Sequence, residues 1–210
     1  MSQSTESLRS RNKRAARDAV LDAAERLLRS AGTADFSMRA LAAEAHVGFV
    51  TPFNHFGSKT EIMRAISTRL IERMSVAFQA RAIRGDLIDR TFAMADVAVE
   101  QMLEQPDVHR AVIGALGAPS STPSAVMSQS RSLWVMALKG GSQRIAPDAL
   151  PLVASRLDEL LALAFRGCLS FWVAGEISDN ELRLNVRRAF ASVLLGFVRP
   201  ECRGPLLSQL

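Results

Sequence analysis

The sequence predicts an all-α fold in two parts, on three observations. Apolar residues recur at three- and four-residue spacing along nearly the whole chain. Helix-start and helix-stop residues bracket those runs. No stretch shows the two-residue alternation of a strand, and no long repeat is present. About nine helices are expected: an N-terminal three-helix unit with helix-turn-helix geometry, then a larger helical domain.

The first helix carries Val20, Leu21, Ala24, Leu27, Leu28 and Ala31 on one face and stops at Gly32, a C-terminal cap. Ser37 is placed as N-cap of a two-turn helix with Met38, Leu41 and Ala42. A break at residues 46–48 precedes a very short apolar run, Phe49 to Phe53. Ser58 and Glu61 form a capping box for a longer helix through Ile62, Ile66, Leu70, Met74 and Phe78. Beyond Arg84-Gly85, the residues Ile88, Phe92, Ala95, Val99 and Met102 share a face up to Pro106.

Gly114, Gly117, Pro119 and Pro123 then read as a broken segment, in which Thr122-Pro123 looks like an N-cap with proline at N1. A helix with Met127, Leu133, Trp134 and Leu138 follows and ends at Gly140-Gly141. The last two helices are the strongest, one from about residue 148 to 174, the other from the capping box Ser178–Glu181 to near Phe197. Expected boundaries are a flexible basic arm over 1–14, the helix-turn-helix unit over 15–60 and the helical domain over 61–210.

Charge placement narrows the function. The 210-residue chain carries a net charge of +5 with a pI near 10.2. Arg9, Arg11, Lys13, Arg14 and Arg17 are offset only by Glu6 within residues 1–17, which suggests a polyanion partner. Hydrophobic residues make up 48% and charged residues 22%, so a packed core is expected. Cys168 and Cys202 lie far apart without a CxxC or metal-spaced histidine, which argues against a disulfide framework or zinc module. With no apolar run fit to span a bilayer and no signal pattern, a cytoplasmic protein is expected.

A full helix, a two-turn helix, a tight turn and a stubby helix make a helix-turn-helix, whose second short helix enters a DNA major groove. Three stretches carry a resemblance: Ala42-x-x-Ala45-His46-Val47, then Thr51-Pro52-Phe53-Asn54-His55-Phe56-Gly57-Ser58-Lys59, then Ile62-Met63. Together these resemble the DNA-binding region of the TetR family of bacterial transcription regulators over roughly residues 15–66. Beyond that region the likeness is length and all-helical architecture.

The resemblance implies a double-stranded DNA operator, a homodimer and a small-molecule effector. It implies no cofactor, metal or enzymatic activity. Its implied DNA-binding residues here are Arg39, Gly48, Phe49, Val50, Thr51, Pro52, Phe53, Asn54, His55 and Lys59. His55 and Lys59 would face phosphates, helped by free N–H groups at the start of the fourth helix.

Three departures stand out. Phe53 replaces the family's usual tyrosine, so the hydroxyl-to-phosphate contact is missing, and the chain has no tyrosine at all. His46 occupies a turn position that is usually glycine, which costs ~1 kcal/mol if its φ is positive. Gly48 stands at the usual Ser or Thr cap, a loss of only a few tenths of a kcal/mol. Beside these, Pro52 is harmless in the first turn of a helix and costly one position deeper.

Between Arg39 and Lys59 there is no Arg or Lys. The recognition helix therefore cannot supply the commonest specific contact, a bidentate cation to guanine. Thr51, Asn54 and apolar contacts to thymine methyls from Phe49, Val50 or Pro52 remain, with Arg39 on the preceding helix as the nearby guanidinium.

The last two helices are apolar over more than one face, which calls for a second partner surface. By the resemblance, Leu160, Leu161, Cys168, Trp172, Phe190, Val193, Leu194 and Phe197 are expected at a dimer interface. Phe92, Met102, His109, Met127, Trp134 and Phe165 are the expected lining of a pocket for a largely apolar effector. The broken segment around Gly114–Pro123 would serve as a gate or a surface loop.

No G-x-S-x-G, G-x-G-x-x-G, Walker loop or H-E-x-x-H occurs, which argues against an enzyme. The expected function is a sequence-specific transcriptional regulator, a repressor released from its operator by its ligand. The alternative is a helical interaction protein or small-molecule-binding bundle whose basic arm holds polyanions non-specifically.

Overall fold

Strong helix formers fill the first described stretch of the chain. The computed structural model describes residues 8–32, 35–119 and 125–210. In it α1 runs Leu8–Ala31, so Arg9, Arg11, Lys13 and Arg14 lie on a helix and not in a flexible arm. Arg, Lys and Ala all favour the helix, and the run between Leu8 and Val20 contains no glycine or proline to stop it. Gly32 ends α1 at a φ of 65°, its N–H donating to the Leu28 carbonyl at 2.9 Å.

The remaining elements are α2 (Met38–Glu44), α3 (Thr51–Phe56), α4 (Lys59–Ala80), α5 (Leu87–Leu103), α6 (Pro106–Gly117) and α7 (Val126–Ala137). A 3-10 turn (Pro147–Ala149) leads into the short α8 (Leu150–Leu152), a π-helical turn (Val153–Leu157), α9 (Asp158–Val173), α10 (Asp179–Leu195), a second 3-10 turn (Pro200–Cys202) and, last, α11 (Gly204–Leu207). No strand occurs among the described residues; two isolated bridge pairs, Asp86 with Gly141 and Ile145 with Val198, are the extended contacts.

The first residues of the segment expected to be broken, Gly114 to Gly117, end a helix, α6. Proline at the first position of α6 costs nothing, because that N–H has no intrahelical partner. Burial of Val108, His109, Val112 and Ile113 on one face outweighs the poor propensity of Gly114 and Gly117. The expected Thr122-Pro123 cap lies outside the described residues. The helix expected over 148–174 is interrupted by the π-helical turn. There the Ser155 hydroxyl donates at 2.8 Å to the Pro151 carbonyl, competing with the backbone for that acceptor.

The chain divides into two compact units, one of residues 1–67 and 107–118, the other of residues 68–106 and 119–210. The first unit gathers Val20, Leu21, Leu28, Leu41, Ile62, Ile66 and Val112 into one core, with Phe36 and Phe56 at its margin. Arg26 fastens α2 to α1, its Nε 2.6 Å from Glu44 Oε1 and its Nη2 donating to the Glu44 carbonyl at 3.1 Å.

In the second unit α9 packs on α7 and α10, and α10 also packs on α5. Trp134 is the hub. Its ring meets Phe165 at 5.4 Å and Phe190 at 4.9 Å, both edge to face. Gly140 is required because a Cβ there would fall 2.5 Å from the Leu87 backbone nitrogen, where the chain crosses the start of α5. Asp86 caps α5 in a box with Asp89, absent from the sequence-based expectation, and Arg144 pairs with both carboxylates.

Most residues expected at a dimer interface belong to this unit's own core. Leu161, Trp172, Phe190 and Leu194 are each 0% exposed, so they leave no surface for a second chain. Cys168 and Phe197 are buried as well, Val193 is half-buried, and Leu160 alone of the eight is exposed. Trp172 can be buried because its indole N–H donates to Asp179 Oδ1 at 2.7 Å. Apolar excess on α9 and α10 is thus consumed largely by neighbouring helices of the same chain.

Candidate nucleic-acid interface

The turn between α2 and α3 is a Schellman motif. The His46 N–H donates to the Ala43 carbonyl at 3.1 Å and the Val47 N–H to the Ala42 carbonyl at 3.0 Å. That pattern needs a left-handed residue at position 46, and His46 sits there with a φ of 53°. At the other end of α2, Ser37 Oγ accepts the Ala40 N–H at 3.0 Å, as its N-cap role requires.

Gly48 opens a turn whose carbonyl accepts the Thr51 N–H at 2.9 Å, and Val50 is the capping residue of α3 without a side-chain cap bond. Pro52 lies in the first turn of α3, where no backbone N–H is missed, and is buried. Phe56 is the other inward residue of α3. At the start of α4 the Ser58 hydroxyl accepts the Glu61 N–H at 3.2 Å, but the Glu61 carboxylate turns to Arg64. The expected capping box is therefore half made.

This packing leaves Phe49, Val50, Phe53 and Asn54 exposed, with Thr51 and His55 half-buried. Phe49 and Phe53 meet edge to face with centroids 5.7 Å apart. Three cations stand on rings of the same unit. Arg39 is 5.7 Å from the Phe49 centroid, Lys59 is 4.8 Å from Phe36, and Arg17 is 5.1 Å from Phe56. The structure thus brings Arg39, Phe49 and Phe53 into one cluster, and holds Lys59 on the loop residue that precedes the N-cap of α2. Sequence reasoning grouped Arg17 with the basic N-terminal charges and missed its seat on the Phe56 ring of α3. No signal in the sequence could have found it, since a cation–ring contact between distant residues leaves no spacing signature.

The expected effector-lining residues divide between the two units, His109 in the first and the other five in the second. Trp134 and Phe165 are packed together in the core, Met102 is buried and Met127 is exposed. His109 is buried on α6, in the other compact unit. Phe92 lines a surface cleft of about 380 Å³ in the second unit, with Asp96, Arg144, Arg187, Leu206 and Gln209 among its neighbours. Arg187 stands 4.8 Å over the Phe92 ring and donates to Asp96 Oδ2 at 2.8 Å. No group of three His, Cys, Asp or Glu side chains fit for a metal occurs among the described residues. Nor is any described helix long and apolar enough to cross a membrane.

The three-helix unit, with its left-handed turn and outward third helix, defines a helix-turn-helix protein. Residues 20–66 match the family model of bacterial regulatory proteins, tetR family, and the chain has the TetR regulator fold. A TetR transcriptional regulator from Rhodococcus sp. RHA1 superposes with a TM-score of 0.70 at 24% identity, over 88% of this chain and 98% of that one. A TetR family transcription regulator from Marinobacter aquaeolei VT8 gives 0.56 at 19% identity, over 91% of this chain and 100% of that one. TylP, a TetR regulator from Streptomyces fradiae, gives 0.54 at 17% identity, over 95% and 86%. No curated protein matches the chain.

Proposed function

We propose that the chain is a sequence-specific DNA-binding transcriptional regulator that reads an operator through α3, acts as a homodimer and is released by a small molecule. The observation that carries this reading is the exposed Phe49–Val50–Phe53 surface with Arg39 on the Phe49 ring, in the same unit as Arg17 on Phe56 and Lys59 on Phe36. An apolar, hydrogen-bonding face with a cation on it, in a unit that carries further cations, fits a major groove bordered by phosphates. Lys59 and His55 serve the backbone; Thr51, Asn54 and the apolar residues serve the bases.

A second copy supports two half-sites about one DNA turn apart. The surface suited to it is the stripe Leu160, Leu163, Gly167 and Phe171 along α9, with Leu184 exposed on α10. Those α9 positions recur every three or four residues, so they share one helix face. For the effector, the cleft beside Phe92 mixes apolar walls with Asp96 and Arg187, which suits a ligand with polar groups on an apolar body. A ligand that prefers a dimer with misplaced recognition helices lowers operator affinity by population shift. On this reading the protein is a cytoplasmic repressor without enzymatic activity.

A mobility-shift titration of the purified protein on DNA from its own upstream region, across a salt series, tests the reading. Sequence-selective binding with a steep inverse salt dependence is expected. Salt-sensitive binding with no preference over random DNA would leave a helical protein whose basic N-terminal helix holds polyanions.

A further inference from the structure

Three large apolar side chains at neighbouring positions stand in water where the turn enters α3 in the first unit. Phe49, Val50 and Phe53 are 51%, 60% and 41% exposed, while Pro52 and Phe56 of the same segment pack inward. A contiguous exposed apolar patch marks a contact surface. What such a patch can meet in a major groove is limited, because the apolar group that base edges present there is the 5-methyl of thymine. The chain has no Lys or Arg between Arg39 and Lys59, so α3 itself brings no cation to a guanine.

Resting on the DNA-binding reading above, we infer that the turn into α3 reads thymine by its methyl group, with guanine read from α2 close by. Phe49 packs on thymine 5-methyls, Phe53 supports Phe49 through their edge-to-face contact, and Val50 only extends the apolar surface beside them. Arg39 takes a guanine one or two base pairs from that thymine. The spacing comes from the cluster: the Arg39 guanidinium carbon is 5.7 Å from the Phe49 centroid, and successive bases on a strand rise about 3.4 Å. The ring also orders Arg39 before DNA arrives, which lowers the entropy lost on contact.

The test begins with selection of preferred duplexes from a random pool by the full chain. Each thymine of a selected duplex is then replaced by deoxyuridine, which removes only the methyl, and each guanine by 7-deazaguanine, which removes the N7 acceptor. At one or two thymines per half-site affinity falls about fourfold per methyl, the equivalent of about 0.8 kcal/mol per buried carbon. At a guanine within two base pairs of such a thymine it falls about tenfold, and Arg39→Ala no longer senses that change. Phe49→Ala binds thymine and uracil duplexes alike, whereas Lys59→Ala weakens both and keeps the discrimination. Thermal unfolding of Phe49→Ala checks that the variant is folded. A selected duplex indifferent to uracil at every position overturns the inference and leaves the regulator standing, as does Phe49→Ala that still prefers thymine. Failure to select any sequence overturns the DNA-reading function itself.

Discussion

The Lys59 ammonium stands 4.8 Å from the centroid of the buried Phe36 ring, so the first residue of α4 is fixed to the residue that precedes the N-cap of α2. This contact holds a surface cation in one place at little entropic cost, and it ties the cation's position to the core. If that cation serves a phosphate, its loss is felt equally on every sequence. Lys59→Ala should weaken specific and random DNA about evenly and reduce the slope of log affinity against log salt by about one. Titrations across a salt series measure it; an unchanged slope would remove Lys59 from the interface.

His46 makes a prediction of opposite sign. A non-glycine residue at a φ of 53° in a Schellman turn carries backbone strain that glycine would not. His46 is exposed, so its replacement costs little packing. His46→Gly should stabilise the protein by ~1 kcal/mol, which for a chain of this size raises Tm by about 2–4 °C. A calorimetric scan decides it. A fall in Tm would mean that the imidazole makes a contact worth more than the strain.

The site was more legible than its surroundings, for reasons that differ by residue. Ser37, Gly32 and the strained turn at His46 depend on chain-local chemistry, and local chemistry is written in adjacent letters. Arg17 over Phe56 and Lys59 over Phe36 join residues distant in sequence through ring contacts that have no periodic signature. The helix Pro106–Gly117 is hard to read because glycine and proline ordinarily break helices, yet its proline sits at N1 and its apolar face is buried. On α9 and α10 the pattern reveals excess apolar surface without saying which neighbour covers it. Trp172 and Phe190 go to the core, and Phe171, one position from Trp172, to the surface.

Arg144 ties the start of α5 to the chain beyond Gly141 through Asp86 and Asp89. Burial works against the Asp86 carboxylate, but the Arg144 guanidinium and the N–H groups of Asp89 and Ile88 outweigh it and hold its pKa below the ordinary 3.8. A carboxylate with a lowered folded pKa contributes stability above its unfolded pKa and loses it as pH falls through the folded one. Asp86→Asn keeps a capping side chain while removing the charge. It should cost about 1–2 kcal/mol near neutrality, and the gap to the wild type should close as pH drops below that ordinary value. Urea titrations across the acid range measure the gap, and a gap independent of pH would assign the loss to capping.

Phe171 and Trp172 are adjacent on α9 yet should answer to different measurements. Phe171 is 53% exposed on the stripe with Leu160, Leu163 and Gly167, whereas Trp172 is 0% exposed and donates to Asp179. A charge at position 171 adds nothing buried to the monomer but would be desolvated against a second copy. Phe171→Glu should therefore split a dimer into monomers in sedimentation while Tm, once corrected for the lost association, changes little. It should also reduce operator affinity, since two half-sites are no longer held together. Trp172→Ala should instead destabilise the fold by about 3–5 kcal/mol, whatever the protein concentration. A dimer that survives Phe171→Glu unchanged would put the interface on another face.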